Sequence, residues 1–471
     1  MYTAREGGNI LTTPQHDLPN PLTKEKHPPG LYILFFTEMW ERFSYYGMRA
    51  MLVLYLTAAL ISGGLGFSES SAISVYGFFT GACYFTPLLG GYITDRYLGR
   101  RKAITIGGIA IALGNFALFA SQTVPALYAG LALIIIGNGF FKPNISTLVG
   151  DLYPKNDRRI DSAYTIFYMG INVGSLISPL ICGYLAEQYF KTNMMDTIVY
   201  GYKYGFLASS IGMVIGQIIF NILAPRYLGD LGTKPVIAMA AIDKGGKKTT
   251  APLTPKEKQR TAVILIITCF VIFFWAGFEQ AGSLLTLYTN QFIDKTIFGW
   301  EVPTSWFQSI NPLFVILLAP LVSMLWMRLS NRKRGDLNIP TKMGLGMILL
   351  GVGYTVLILA VLRTGSDSEH IVQKANILFI IATYFFHTVG ELFLSPVGLS
   401  LVNKIAPVKL TSLLMGVWLA STGIANIVGG QFASKINTLG YFNVFSTIGG
   451  LSIVLGIILL MLSKTLTRMA E

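Results

Sequence analysis

Charged side chains are scarce in this chain: of 471 residues, 13% are Asp, Glu, Lys or Arg, while 52% are apolar and the mean hydropathy is +0.56. Soluble domains carry about a quarter charged residues, so a soluble multidomain protein is excluded. Cysteine is nearly absent. Cys83, Cys182 and Cys269 all fall in apolar runs, which leaves neither a disulfide framework nor metal-ligand spacing. Histidine is almost as rare: His16 and His27 lie in a polar N-terminal segment and His370 in a short loop, while His387 sits in an apolar run and reads as a packing or hydrogen-bonding residue. No nucleophile, base and orienting group can be assembled, so an enzyme is not expected, nor a cofactor or metal. A cleavable signal peptide is not apparent either, because residues 1–27 are polar and the first apolar run is too long and too charged.

What is present is apolar length. Runs long enough to cross a hydrocarbon core of roughly 30 Å lie near 31–60, 72–95, 102–121, 125–150, 160–187, 202–224, 260–290, 304–328, 342–362, 372–403, 410–435 and 441–463, which predicts twelve helices. The net charge of +13 could suit nucleic acid, but its placement argues for a bilayer instead. Basic residues crowd the N-terminal segment, Arg96–Lys102, Lys155–Arg159, Arg226–Arg260, Arg328–Lys342, Lys404 with Lys409, and Lys464 with Arg468. The alternate loops hold only Lys191, Lys203, Lys295, Arg363, Lys374 and Lys435. This loop-by-loop bias supports the helix count and predicts both termini on the cytoplasmic side.

The remaining ionisable groups lie inside the runs, where each costs a few kcal/mol and is retained for use. They are Glu38, Glu41, Arg42 and Arg49 in TEMWERFSYYGMR, with Lys142, Glu279 and Glu391; Asp95 and Asp151 stand at cytoplasmic helix ends. At about 100° per residue, Glu38, Glu41, Arg42, Tyr45 and Arg49 share an arc of roughly 100°, while Trp40, Phe43 and Gly47 point elsewhere. These charges nearly neutralise one another, which lowers their burial cost only if the helices bring them together.

The Gly-, Pro- and Lys-rich stretch 225–259 reads as a solvated linker between residues 28–224 and 260–464, six helices each, with tails at 1–27 and 465–471. An all-α membrane protein of six plus six spans has the plan of the major facilitator superfamily. GYITDRYLGRRK at 91–102 is similar to that superfamily's loop signature, matched at Gly91, Asp95, Arg96, Gly99, Arg100 and Arg101. Asp95 is expected to meet a helix N-terminus there.

Four further segments narrow the resemblance: E-x-x-E-R-F-S-Y-Y-G in the first helix, GNGFFKPN around Lys142, FYMGINVGSL at Phe167–Leu176, and FFWAGFEQ around Glu279. With GELFLSPVGLS at Gly390–Ser400, they resemble the proton-coupled oligopeptide transporter family over about residues 28–464. The resemblance implies a symporter importing di- and tripeptides with a proton by alternating access. Glu38, Glu41, Arg42 and Glu279 would handle the proton. Arg49 and Lys142 would hold the peptide carboxylate, Glu391 its ammonium, and Asn172 and Asn311 its backbone. Tyr45, Tyr46, Tyr84, Trp275 and Trp418, with Thr422, would form tolerant walls, although such aromatics also serve packing. Arg49–Glu279 and Lys142–Glu391 would be gating pairs.

The physical chemistry of these residue types suits those roles. A planar guanidinium grips a carboxylate in bidentate fashion, and an amide both donates and accepts. Burial raises a carboxylate's proton affinity and a neighbouring cation lowers it, so relative motion can load or release a proton. A proton falling through 100 mV releases about 2.3 kcal/mol, enough to concentrate a neutral solute roughly fiftyfold. The sequence departs from many bacterial relatives in lacking two extra spans between the sixth and seventh helices. It also lacks the second-helix histidine and the large outer domain of animal members, which points to a bacterial inner membrane. A protein active as a monomer, with no nucleic acid partner, is expected. Transport of another small anion or peptide-like solute, and a non-transporting peptide-sensing receptor, are the alternatives.

Overall fold

A computed structural model describes residues 26–154, 157–194, 196–235, 253–331, 336–365, 373–407 and 410–470. Among the described residues there are thirteen α-helices: α1 Pro29–Thr57, α2 Glu69–Ile93, α3 Arg100–Ala120, α4 Val124–Asp151, α5 Ile160–Tyr184, α6 Tyr202–Tyr227, α7 Pro255–Phe278, α8 Leu284–Phe292, α9 Ile310–Ser330, α10 Ile339–Thr364, α11 Leu378–Ile405, α12 Thr411–Ala433 and α13 Ile436–Ala470. The rest of the regular structure is short turns and two-stranded ladders, such as Thr192–Met194 against Thr197–Val199. Among the described residues, eleven segments are long and apolar enough to cross a membrane. The long helix α1 falls outside that set because Glu38, Glu41, Arg42 and Arg49 interrupt its apolar run.

Local signals start these helices where they begin. Pro29 opens α1 at a position where its missing N–H costs nothing, and Thr254 with Glu257 forms a reciprocal capping box at the start of α7. The helices then pack through small residues. A Cβ on Gly107 of α3 would stand 2.6 Å from the Gly137 carbonyl of α4, and one on Gly77 of α2 would stand 2.8 Å from the Asn426 carbonyl of α12. Only glycine lets these backbones approach so closely. Outward faces are apolar, as at Ile109, Leu113, Ile218, Ile222 and Leu321, while ionisable groups turn inward, the arrangement a lipid solvent selects.

Contacts order the helices around α1, which packs on α5 and α6, while α3 lies against α4 and α6. Later in the chain α10 packs on α11 and α13, and α12 joins α7 to α2. The start of α1 lies beside the end of α6, where Gly30 meets Leu228; the end of α13 lies beside the start of α7, where Arg260 Nε donates to the Ala470 carbonyl at 2.9 Å. That end of the molecule is the near face, and the opposite end the far face.

Two expectations need correction. The run 260–290 is not one helix: a 3-10 turn, Glu279–Gly282, separates α7 from α8. Hydropathy continues through the break, so the run conceals it. Within α13, Gly440, whose left-handed φ of 72° is non-helical, separates residues 436–439 from the long helix that begins at 441 as expected. Asp95 does not cap a helix; it is exposed in the π turn Thr94–Leu98, and Asp151 pairs with Arg100 instead. The N-cap position of α3 is held by Gly99, four residues after Asp95. Most of the predicted linker, at 236–252, and residues 1–25, including His16, lie outside the described residues, as does His370.

Candidate substrate and proton site

The polar stripe of α1 faces protein. Gly174 of α5 lets α1 lie close, since a Cβ there would stand 3.0 Å from Arg42 Cβ. In this buried interface Arg42 Nε donates to Glu38 Oε1 at 2.7 Å and stands 3.0 Å from Glu41 Oε2. Glu41 is 0% exposed, and among the described residues Glu38 Oε2 and both Glu41 oxygens have no hydrogen-bond partner. Two carboxylates share one guanidinium, so with both ionised the cluster carries one uncompensated negative charge.

Two turns further along α1, Arg49 forms a buried ion pair with Glu279 and donates through Nε to the Tyr76 hydroxyl of α2. The break after α7 puts Glu279 there. Breaking the helix frees the Ala281 carbonyl, which accepts from Gln308 Nε2 at 2.5 Å and from Thr286 Oγ1 at 2.9 Å. Non-helical backbone is tolerated at membrane depth only with such replacement partners. Tyr76 and Gln308 were not anticipated from sequence, because nothing local marks a tyrosine or glutamine as the partner of a residue far along the chain.

Arg49 and Glu279 line a cavity of about 200 Å³, with Tyr46, Tyr84, Asn172, Trp275, Asn311 and Glu391 in its wall. That is room for far more than a single water. Glu391 of α11 accepts from Asn311 Nδ2 at 2.9 Å, and the same amide reaches Thr388 Oγ1 at 3.0 Å. Asn172 donates to the Tyr168 carbonyl one turn back, at 2.9 Å. Tyr168, Gln308 and Tyr384 also stand in the wall. Of these only Tyr168 carried a usable signal, standing in FYMGINVGSL one turn before Asn172.

The remaining predicted residues stand apart from the cavity wall. Lys142 lies behind Tyr84, its Nζ 4.2 Å from the ring centroid, and among the described residues it forms no ion pair, with Glu391 or any other acid. Tyr45 stacks on Phe79 at 6.2 Å, and Trp418 packs against Gly398; neither lines the cavity, nor does Thr422. Their helical spacing marks a buried face but not the depth at which that face opens. His387, by contrast, does line the cavity; it is 1% exposed and its ring packs 4.9 Å from that of Tyr354.

Long apolar helices around a central cavity, with opposite charges on its walls, define a multi-pass membrane transporter. The chain belongs to the POT family, whose model matches residues 101–228 and 233–441. It is 32% identical to the peptide transporter YePEPT of Yersinia enterocolitica over 87% of this chain and 88% of that one. It is 30% identical to the di-/tripeptide transporter of Lactococcus lactis subsp. cremoris over 94% and 96% of the two chains. A crystal structure of a mutant peptide transporter POT in complex with alafosfalin superposes with a TM-score of 0.83, at 31% identity over 94% of this chain and 96% of the other.

Proposed function

We propose that this protein is a proton-coupled symporter for di- and tripeptides. It works by alternating access between two six-helix units, residues 28–224 and 260–464, with twelve spans and both termini in the cytoplasm of a bacterial inner membrane. The observation that carries this reading is the distribution of charge around the cavity. Arg49, paired with Glu279, and Glu391 line it, and Lys142 lies against the Tyr84 ring of its wall. A free dipeptide is a zwitterion with its charges a few Å apart, and this polarity suits both ends of it. The arrangement favours short peptides, since a longer chain cannot satisfy both ends at once. A nitrate-like anion would have no use for Glu391. The names of the Yersinia and Lactococcus relatives agree with peptide as the cargo.

The carboxylate-rich cluster of Glu38, Glu41 and Arg42 supports proton binding, because one proton removes its uncompensated charge. Glu279 is the second proton site. Protonating it weakens its hold on Arg49, and the incoming peptide carboxylate takes its place. Lys142 and Glu391, apart here, are read as the pair that closes the near face in the opposite state. No cofactor takes part, and one chain carries the whole site.

The test is uptake of labelled dialanine into proteoliposomes with an imposed pH gradient, acidic outside. Accumulation that collapses with the gradient supports the reading. Binding without accumulation would favour the peptide-sensing receptor.

A further inference from the structure

Glu187 is a buried carboxylate, 6% exposed, that belongs to neither the cavity nor the Arg49 pair. It sits at the far face in the π turn Leu185–Tyr189 that extends α5. Its Oε2 accepts the Thr304 amide at 2.7 Å and its Oε1 the Ser305 amide at 3.0 Å. Thr304 and Ser305 open the 3-10 turn Thr304–Ser309 that leads into α9. A helix start leaves such amides without partners, and an oxygen-bearing residue just before the helix usually takes them. Here that residue is Pro303, with no side-chain oxygen, so the cap comes from the other half of the chain. The same seam holds Trp306 Nε1 donating to the Leu180 carbonyl at 3.0 Å and Ser309 Oγ donating to the Leu176 carbonyl at 2.7 Å. Of these cross-half contacts, only the Glu187 cap can be switched by a proton.

We propose that Glu187 is a separate proton-binding site. Ionised, it latches the far face shut by capping the eighth span; protonated, it lets α5 and that span part. This inference rests on the alternating-access reading. Charge-assisted hydrogen bonds are roughly twice as strong as neutral ones, and a helix N-terminus favours a negative partner. A neutral carboxyl accepts through one oxygen and turns a donor towards the second amide, so the cap is half lost.

The groups facing Glu187 are consistent with this. From the segment after α8 comes Lys295, whose Nζ donates to Thr304 Oγ1 at 2.7 Å and stands 3.2 Å from Glu301 Oε1. From the start of α6 come Tyr200 and Tyr202, and beyond them Glu301 with Lys191 and Lys374. Lys295 is thus shared with Thr304 and Glu301, and the two amides are the direct partners of the Glu187 carboxylate.

Full-length protein in nanodiscs, spin-labelled at cysteines replacing Leu60 and Lys435 on the far face with Cys269→Ala, reports the opening as an electron–electron distance, with no peptide present. The wild type is expected to gain a long-distance population between pH 8 and pH 5.5. Glu187→Gln should hold that population about tenfold enriched over wild type already at pH 8. Glu187→Asp should keep a pH response. Thr304→Pro, which removes one capped amide at a position that tolerates proline, should open the far face in the same direction. A closed distance at pH 8 and a wild-type pH response in both Glu187→Gln and Thr304→Pro overturn the proposal. Dialanine uptake, measured separately, would survive that result, and its failure would leave the distance response standing.

Discussion

Arg49 and Glu279, 230 residues apart in the chain, form a buried ion pair where α1 faces the break between α7 and α8. Removing one partner of such a pair strands a charge at a cost of about 3–5 kcal/mol. A pair of this kind is therefore released only when something replaces the lost partner. In the proposed cycle a proton on Glu279, together with a substrate carboxylate on Arg49, does so at both ends.

Glu279→Gln retains the hydrogen-bonding shape and removes the charge and the proton site. It is expected to lower proton-driven accumulation of dialanine at least about tenfold while retaining counterflow exchange, a loss of roughly 1.4 kcal/mol in coupling. Parallel uptake and exchange assays in proteoliposomes check this. Full accumulation would remove Glu279 from the coupling step.

Arg49→Lys keeps the positive charge but not the fork that reaches Glu279 and the Tyr76 hydroxyl together. Lysine is a point charge and binds a carboxylate with less geometric demand. The KM for dialanine should rise about tenfold, more than the maximal rate falls. An unchanged KM would argue against carboxylate recognition by Arg49.

Gln308→Leu takes from the Ala281 carbonyl its closest donor and from Thr286 a hydrogen-bond partner at 2.7 Å. The variant should be destabilised by about 1–3 kcal/mol, read as a lower Tm in detergent. Transport should fall too, because the break orients Glu279. Wild-type Tm and uptake together would show that the break needs no support from Gln308.

Gly77→Val places side-chain atoms where the Asn426 carbonyl and Gly430 already stand. Overpacking the crossing of α2 and α12 should cost about 1–3 kcal/mol. A thermal melt of the purified protein measures it, and no change in Tm would mean that the two helices separate freely.

Much of this architecture was legible because lipid is a strict solvent. Ionisable groups inside apolar runs are rare, so Glu38, Glu41, Arg42, Arg49, Lys142, Glu279 and Glu391 stood out individually. Some of their partners did not. Tyr76 and Gln308 are ordinary residues whose importance comes from where the fold carries them. The break at Glu279–Gly282 was hidden because apolar residues continue through it, and hydropathy reports burial rather than backbone shape. Tyr45, Trp418 and Thr422 show a related limit: helical spacing fixes which face is buried, while the cavity occupies only part of that face. Lys142 and Glu391 do not pair here, and the sequence carries no signal of which conformation a structure captures.

Inhibition of labelled dialanine uptake by terminally blocked dipeptides tests the two-ended site most directly. Unmodified dialanine should compete well, while N-acetyl-dialanine and dialanine amide should each compete at least about tenfold more weakly, because each leaves a buried charge unpaired. Equal competition by the blocked and free peptides would contradict the account, since neither Arg49 and Lys142 nor Glu391 would then be reading a peptide terminus.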